Sequence, residues 1–304
     1  MKMDRRQFLA STIAGASGVL LGCGGLATRR VSAAAPANPY ELVPLGKTGI
    51  KVSRIGIGTG MRGGGRQSNQ TRMGREAFEG LLKGAYDRGV RLFDMADMYG
   101  THEYVARALK GLPRDQYVLT TKMWVHKGGG IPEPERPDAN IVVDRFRKEL
   151  QTDYVDLVLL HCMMSAKWPE EQKRQMDILE DLKAKKIIRA HGMSCHSLGA
   201  LEAAAATPWV DSVHVRINAY GEKMDGPIEK VAPVVERLHK AGKGVIGMKL
   251  IGEGTFRDSD EKRNGSVRYV LGLGTVDAMV VGFEKTAEVD DFAARVASAM
   301  QAKA

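Results

Sequence analysis

The sequence predicts a single (β/α)8 (TIM) barrel with an N-terminal β-hairpin as a plug at one end. From residue 40 onward, apolar runs of strand length alternate with amphipathic helical stretches, eight times over. The runs are apolar nearly throughout, as in Val155-Asp156-Leu157-Val158-Leu159-Leu160, which suits parallel strands covered on both faces. No Pro/Gly/Ser linker divides the chain near its middle, as two smaller doubly wound domains would require. Two segments result: 1–35, a signal peptide and linker, and 36–304, the barrel.

The elements follow in order. Residues 40–52 carry Gly46-Lys47-Thr48-Gly49 between two short extended runs, which is hairpin-turn chemistry. Strand 53–57, helix 75–88 and strand 90–94 come next. Helix 102–109 leads into strand 117–122, and helix 139–150 into strand 155–161. Helix 171–184 precedes strand 187–193, helix 198–206 precedes strand 212–217, and helix 228–241 precedes strand 244–248. Helix 262–271, strand 278–281 and helix 286–300 close the chain. A barrel of this kind carries its chemistry on loops at the C-terminal ends of the strands. Asp94, Lys122, His161, Ser194 and Asn218 all fall there. Gly56-Ile57-Gly58-Thr59-Gly60 is not a dinucleotide fingerprint, because no helix opens after it; Arg62-Gly63-Gly64-Gly65-Arg66 continues it as a loop.

Residues 1–35 read as an export signal. Asp4-Arg5-Arg6-Gln7-Phe8-Leu9 matches the twin-arginine pattern, which implies the twin-arginine export machinery as a partner and the periplasm as destination. The apolar run 9–21 is too short to span a bilayer as a mature helix. Two processing sites are open. Leu20-Leu21-Gly22-Cys23 resembles a lipobox, which would make Cys23 a lipid anchor; Ala33-Ala34-Ala35 offers a signal-peptidase site. Arg29 and Arg30, which interrupt an otherwise neutral tether, favour the second.

The formal charge of +9 raises nucleic acid as a partner, but residues 1–35 account for +4 of it. The remainder has no Lys/Arg run interleaved with aromatics, so a solvated basic surface is expected and no nucleic acid. Outside the signal only Cys162 and Cys195 remain, too few for a disulfide framework, although one bridge between them stays open. His161, Cys162, His191, Cys195 and His196 lack ligand-pair spacing, so no metal is expected.

The chemistry concentrates in three segments: Phe93-Asp94-Met95-Ala96-Asp97-Met98-Tyr99-Gly100, Val118-Leu119-Thr120-Thr121-Lys122-Met123-Trp124, and 154–161, which ends in His161. Each reads as a buried strand with an ionisable side chain at its end. A free phenol, with a pKa near 10, is a poor acid at neutral pH. A nearby ammonium stabilises the phenolate, and a carboxylate paired to that ammonium keeps it charged and oriented. Asp97 competes with Asp94 for this last role.

These segments, together with 49–58, Glu103 and Gly192-Met193-Ser194, resemble the aldo-keto reductase family over roughly residues 40–300. The resemblance implies hydride transfer between a nicotinamide cofactor (NADP by family habit, or NAD) and a small-molecule carbonyl, or the corresponding alcohol. It implies Tyr99 as general acid/base, Lys122 as the partner that lowers its pKa, Asp94 as the anchor of Lys122, and His161 as the group that positions the carbonyl oxygen. For the cofactor it points to Ser194 at the carboxamide, with Cys195 and His214 replacing the usual Asn and Gln, and Met248 replacing the stacking aromatic. Lys285 and the helix start at Thr286 would meet an adenosine phosphate, although Glu284 beside them suits a free ribose hydroxyl better. Trp124 and Cys162 would line the substrate pocket. The substituted carboxamide contacts also leave open a nicotinamide-binding redox sensor or auxiliary subunit with little turnover.

Overall fold

The computed structural model describes residues 37–302. The export motif and Cys23 lie outside the described residues. A two-stranded antiparallel hairpin opens the fold, β1 (Leu42–Pro44) and β2 (Lys51–Ser53). Then follow β3 (Ile55–Gly58), α1 (Asn69–Arg72), α2 (Arg75–Arg88), β4 (Leu92–Asp94), α3 (His102–Ala108), β5 (Val118–Met123), α4 (Ala139–Leu150) and β6 (Val155–Met163). The second half runs α5 (Trp168–Glu171), α6 (Lys173–Ala184), β7 (Ile188–Cys195), α7 (Leu198–Ala206), β8 (Ser212–Arg216), α8 (Ile228–Lys240), β9 (Gly244–Met248), α9 (Asp260–Leu273), β10 (Ala278–Gly282) and α10 (Thr286–Gln301). Strands β3 to β10 pair in sequence order, all parallel, and β10 returns to β3 to close the eight-stranded barrel. The expected fold class is the observed one.

Two apolar layers hold it together. The outer layer lies between strands and helices; α2, for example, contributes Phe78, Leu81, Leu82 and Ala85, one helical stripe. The inner layer fills the barrel and includes the hairpin: Val43, Leu45, Ile50 and Val52 pack with Leu92, Val118, Leu157, Leu159, Ala190, Ile246, Ala278 and Val280. The hairpin therefore stoppers the N-terminal end. Its turn presses so closely on the start of β9 that a Cβ on Gly46 (φ +51°) would collide with the backbone of Gly242, Lys243 and Gly244.

The inner layer also fixes parity. Side chains alternate along a strand. With Leu92, Val118, Leu157, Leu159, Ala190, Ile246 and Val280 inside, the inward residues one or two steps further along are Asp94, Lys122, His161, Ser194 and Met248. His214 follows by its register with Ser194 and Ile246. One end of the barrel is thus sealed by aliphatic side chains and the other is furnished with polar ones.

Differences from the sequence expectation are local. α1, four residues long, is held by a capping box between Ser68 and Thr71 and is too short to show a period. The helix expected over 171–184 begins at Lys173, after the separate turn α5. β6 and β7 run on to Met163 and Cys195, past their expected ends.

Candidate active site

A buried ion pair is the foundation of the site. Lys122 Nζ, from β5, donates to both carboxylate oxygens of Asp94 on β4 (2.6 and 2.7 Å) and to the Met95 carbonyl (2.9 Å). The two residues are only 1% and 5% exposed. Asp97, the competing carboxylate, is committed elsewhere: Arg145 of α4 donates to its two oxygens (2.9 and 2.8 Å), and Arg66 adds a third bond (3.3 Å). Arg66 also pairs with Glu135, so the loop after β3 is tied both to the turn at 97–99 and to the loop after β5.

Tyr99 closes a single 3-10 turn, Asp97–Tyr99, whose cap is Gly100 in the left-handed region. Its ring lies 5.4 Å from Lys122 Nζ, and its hydroxyl is 3.2 Å from His161 Nε2. The glycine-rich loop acquires a role here that its sequence did not announce. A Cβ at Gly60 would strike Tyr99 Cε2 and Cζ, and one at Gly63 would lie within about 2.5–2.9 Å of the other ring edge. The glycines let the loop backbone close over the phenol. Gly60→Ala is therefore expected to displace the Tyr99 ring and lower turnover about 10²-fold, the usual penalty for an ångström of misplacement. The overpacking also costs about 1–3 kcal/mol in denaturant melts. Unchanged turnover would show that the ring position is not set by this loop.

His161 is presented by an irregular strand end. The β6–β7 register shifts between Leu160 and Met163, and Cys162 sits at φ +64°. A non-glycine residue is strained there, and the neighbours compensate. Cys162 N donates to Ser194 Oγ (2.8 Å), while His126 Nε2 reaches both the His161 and Cys162 carbonyls (3.0 and 2.9 Å). Trp124 stands edge-on to the His161 ring at 5.3 Å and donates its indole N–H to the Gly128 carbonyl (2.9 Å). Trp124 and Cys162, both expected at the pocket, thus sit on the two loops flanking His161. His126 was not anticipated; a lone His three residues beyond a strand carries no pattern.

The electrostatics follow from burial. Burial alone would raise Asp94, but Lys122 first and His214 second more than reverse it, holding the carboxyl at about 2. Burial, reinforced by Lys122, pushes His161 well below the usual histidine range, so its imidazole is neutral. Burial and then the charge of Asp94 push the Tyr99 phenol up. From the sequence alone the ammonium is expected to pull it down. Burial outweighs the ammonium, and geometry adds to it: Lys122 directs its charge onto Asp94, and the phenol faces the whole pair.

The residues expected for the cofactor divide into two groups. Ser194 is buried and faces inward, side by side in register with His214. Met248 is half-buried at the end of β9, and Lys285 is exposed just before α10. Cys195 is a correction. Strand alternation turns it outward into the helix-facing core, where its Sγ donates to the Ser197 carbonyl (2.9 Å). For the same reason Cys162 and Cys195 form no disulfide; both are free thiols. His214, expected at the carboxamide, also reaches the ion pair: its Nε2 donates to Asp94 Oδ1 (2.9 Å). The Asn218 side chain is used up bonding to Tyr220 and Glu222 backbone atoms in its own loop and to the Lys249 carbonyl in the loop after β9. Arg257 is an addition, pairing with Glu284 (3.1 Å) and Glu288 (3.3 Å) and offsetting the acidic charge at the start of α10. It lies in an irregular loop far from both in sequence, beyond the reach of any local pattern.

The aldo/keto reductase family profile matches residues 54–270, most of the barrel. The chain belongs to the aldo/keto reductase family. It is similar to aldo-keto reductase YhdN of Bacillus subtilis (strain 168), at 28% identity over 242 residues, covering 75% of this chain and 70% of the other. Among solved structures it is similar in fold to a Pseudomonas aeruginosa protein assigned to the aldo-keto reductases. That match has a TM-score of 0.69 and 24% identity, with 86% of this chain and 97% of the other covered. A Klebsiella pneumoniae aldo-keto reductase in complex with NADPH matches with a TM-score of 0.63 and 20% identity, over 84% and 89% of the two chains.

This aldo-keto reductase has the furniture for a nicotinamide dinucleotide. An inward hydroxyl at Ser194 and a soft apolar surface at Met248 stand near the Asp94–Lys122 pair. Further round the barrel, Lys285 and Arg257 balance Glu284 and Glu288 at the start of the 16-residue helix α10, so the helix N-terminus itself is what favours a phosphate there.

Proposed function

We propose that this aldo-keto reductase interconverts an aldehyde or ketone with the corresponding alcohol, using Tyr99 as the general acid in reduction and the general base in oxidation. One observation carries the reading: a phenol hydroxyl placed on a neutral His161 and above a fully buried Lys122–Asp94 pair. When bound, a reduced nicotinamide would supply the hydride for the carbonyl carbon. The chain's own residues handle the proton. His161, carrying its hydrogen on Nε2, donates to the Tyr99 oxygen and leaves the phenol hydrogen free for the substrate. That hydrogen passes to the carbonyl oxygen as negative charge develops there. An alkoxide is more basic than a phenolate, so a phenol held protonated remains a competent donor. Lys122 stabilises the phenolate that results, and Asp94 holds Lys122 in place. Trp124 offers an apolar wall beside His161, which suits a carbonyl with a hydrophobic substituent.

The test is turnover. Purified protein should bind NADPH or NADH, the two compared directly, and oxidise one of them in the presence of members of an aldehyde and ketone panel. Tight binding with no turnover across the panel overturns the enzymatic reading in favour of a sensor.

We also infer export by the twin-arginine route, supported by Arg5-Arg6 and the apolar run after them. Replacing both arginines by Lys should retain the protein in the cytoplasm. The mass of the exported wild type should correspond to cleavage after Ala35; a lipidated Cys23 as first residue would reverse that choice of site.

A further inference from the structure

The proton-delivery set contains one member that the family resemblance assigns elsewhere. His214 lies on β8, in register with Ser194 on one side and Ile246 on the other, and is fully buried with its side chain inside the barrel. Its Nε2 is 2.9 Å from Asp94 Oδ1, the same oxygen that accepts from Lys122 at 2.6 Å. Asp94 can only accept, so the imidazole must carry its hydrogen on Nε2. Nδ1 is then a buried acceptor, and it has no partner among the described residues. Packing alone does not favour a ring with one polar atom unmet; the bond to Asp94 is what the position retains.

We propose that His214 is a positioning residue for proton delivery: as the second donor on Asp94, it draws that carboxylate's charge away from Lys122 and so sets how strongly the ammonium acts on Tyr99. The inference rests on the reading of Tyr99 as general acid/base. The physical chain is short. The negative charge of Asp94 opposes the phenolate, and the positive charge of Lys122 favours it. A carboxylate shared by two donors opposes the phenolate less and neutralises its ammonium less, and both changes ease ionisation of Tyr99. The charged and titratable groups around the cluster come from several elements: Asp94 of β4, Lys122 of β5, His161 and Cys162 of β6, with His126, His196 and Lys249 beyond them. Of the side chains, Lys122 and His214 hydrogen-bond Asp94 directly.

The experiment compares wild type, His214→Gln and His214→Leu through the pH profile of kcat/KM for alcohol oxidation, where Tyr99 must be ionised. The leucine variant removes the donor and should raise the apparent pKa by about one unit, whereas glutamine, which keeps an N–H donor, should restore most of the wild-type value. Dinucleotide affinity should stay within about threefold in both. A leucine variant with the wild-type pKa overturns the proposal, whatever happens to kcat. A large loss of dinucleotide affinity without a pKa change also overturns it and assigns His214 to the cofactor. Should the leucine variant fail to fold, nitrogen-15 NMR of the wild-type holoenzyme decides: hydrogen on Nε2 is expected across the neutral range, and hydrogen on Nδ1 sinks the idea. Failure of the underlying reading looks different, as a wild-type protein that turns nothing over.

Discussion

Tyr99→Phe is expected to lower kcat for carbonyl reduction by about 10²–10⁴-fold, the contribution of one well-placed general acid. The fold should survive almost untouched. Phenylalanine keeps the ring that Gly60 and Gly63 close upon and loses only the hydroxyl bonded to His161, worth about 1 kcal/mol. Dinucleotide affinity, measured by fluorescence titration, should be unchanged, so the loss falls on kcat. Substantial turnover in this variant would mean that the proton reaches the substrate by another route.

Lys122→Met should have the largest effect on stability. It leaves the Asp94 carboxylate buried, with His214 as its remaining side-chain partner and the ammonium gone. Breaking one side of a buried pair costs about 3–5 kcal/mol at neutral pH, because an uncompensated charge stays in the interior. The pH dependence follows from the sign. In the wild type Asp94 is held at about 2, below its ordinary 3.8, so its contribution is present above the ordinary value and is lost as pH falls toward 2. In the variant, burial without the ammonium raises the carboxyl, which protonates more readily in the folded state, so acid relieves the defect. The difference in denaturation midpoint between the two proteins should be greatest near neutrality and narrow below about pH 4. Adding Asp94→Asn should recover part of the loss, since the stranded charge is removed with its partner. A deficit that does not change with pH would refute this account and point to lost packing instead. Activity should fall as well, for Tyr99 loses the ammonium 5.4 Å from its ring.

The barrel and the ionisable residues at its polar end could be read from the chain because they rest on local, repeated signals. Strand-length apolar runs, helical stripes and ionisable residues at strand ends are each visible within about ten residues. Asp94, Tyr99, Lys122 and His161 were found in that way, and the fold brings them together. What the chain left undecided has a common cause. In strands covered on both faces the apolar pattern hides which side chains point inward. Cys195 and His214 could therefore be aligned to a motif but not oriented. Counting parity from Leu157 and Ala190 orients Ser194 inward and Cys195 outward, but which residues line the barrel is known only once the hairpin core has been located.

The sequence by itself determined the architecture and the family, since those depend on periodicity and residue identity. Tertiary structure alone decided which carboxylate Lys122 takes, what closes over Tyr99, and on which side of the site His214 acts. Asp94 and Asp97 differ by three positions, yet one meets Lys122 and the other two arginines. The glycines at 60 and 63 are specified by a ring some forty residues away. Charges and close contacts act through space over a few ångströms, and no one-dimensional pattern records which distant segments the barrel closes against each other.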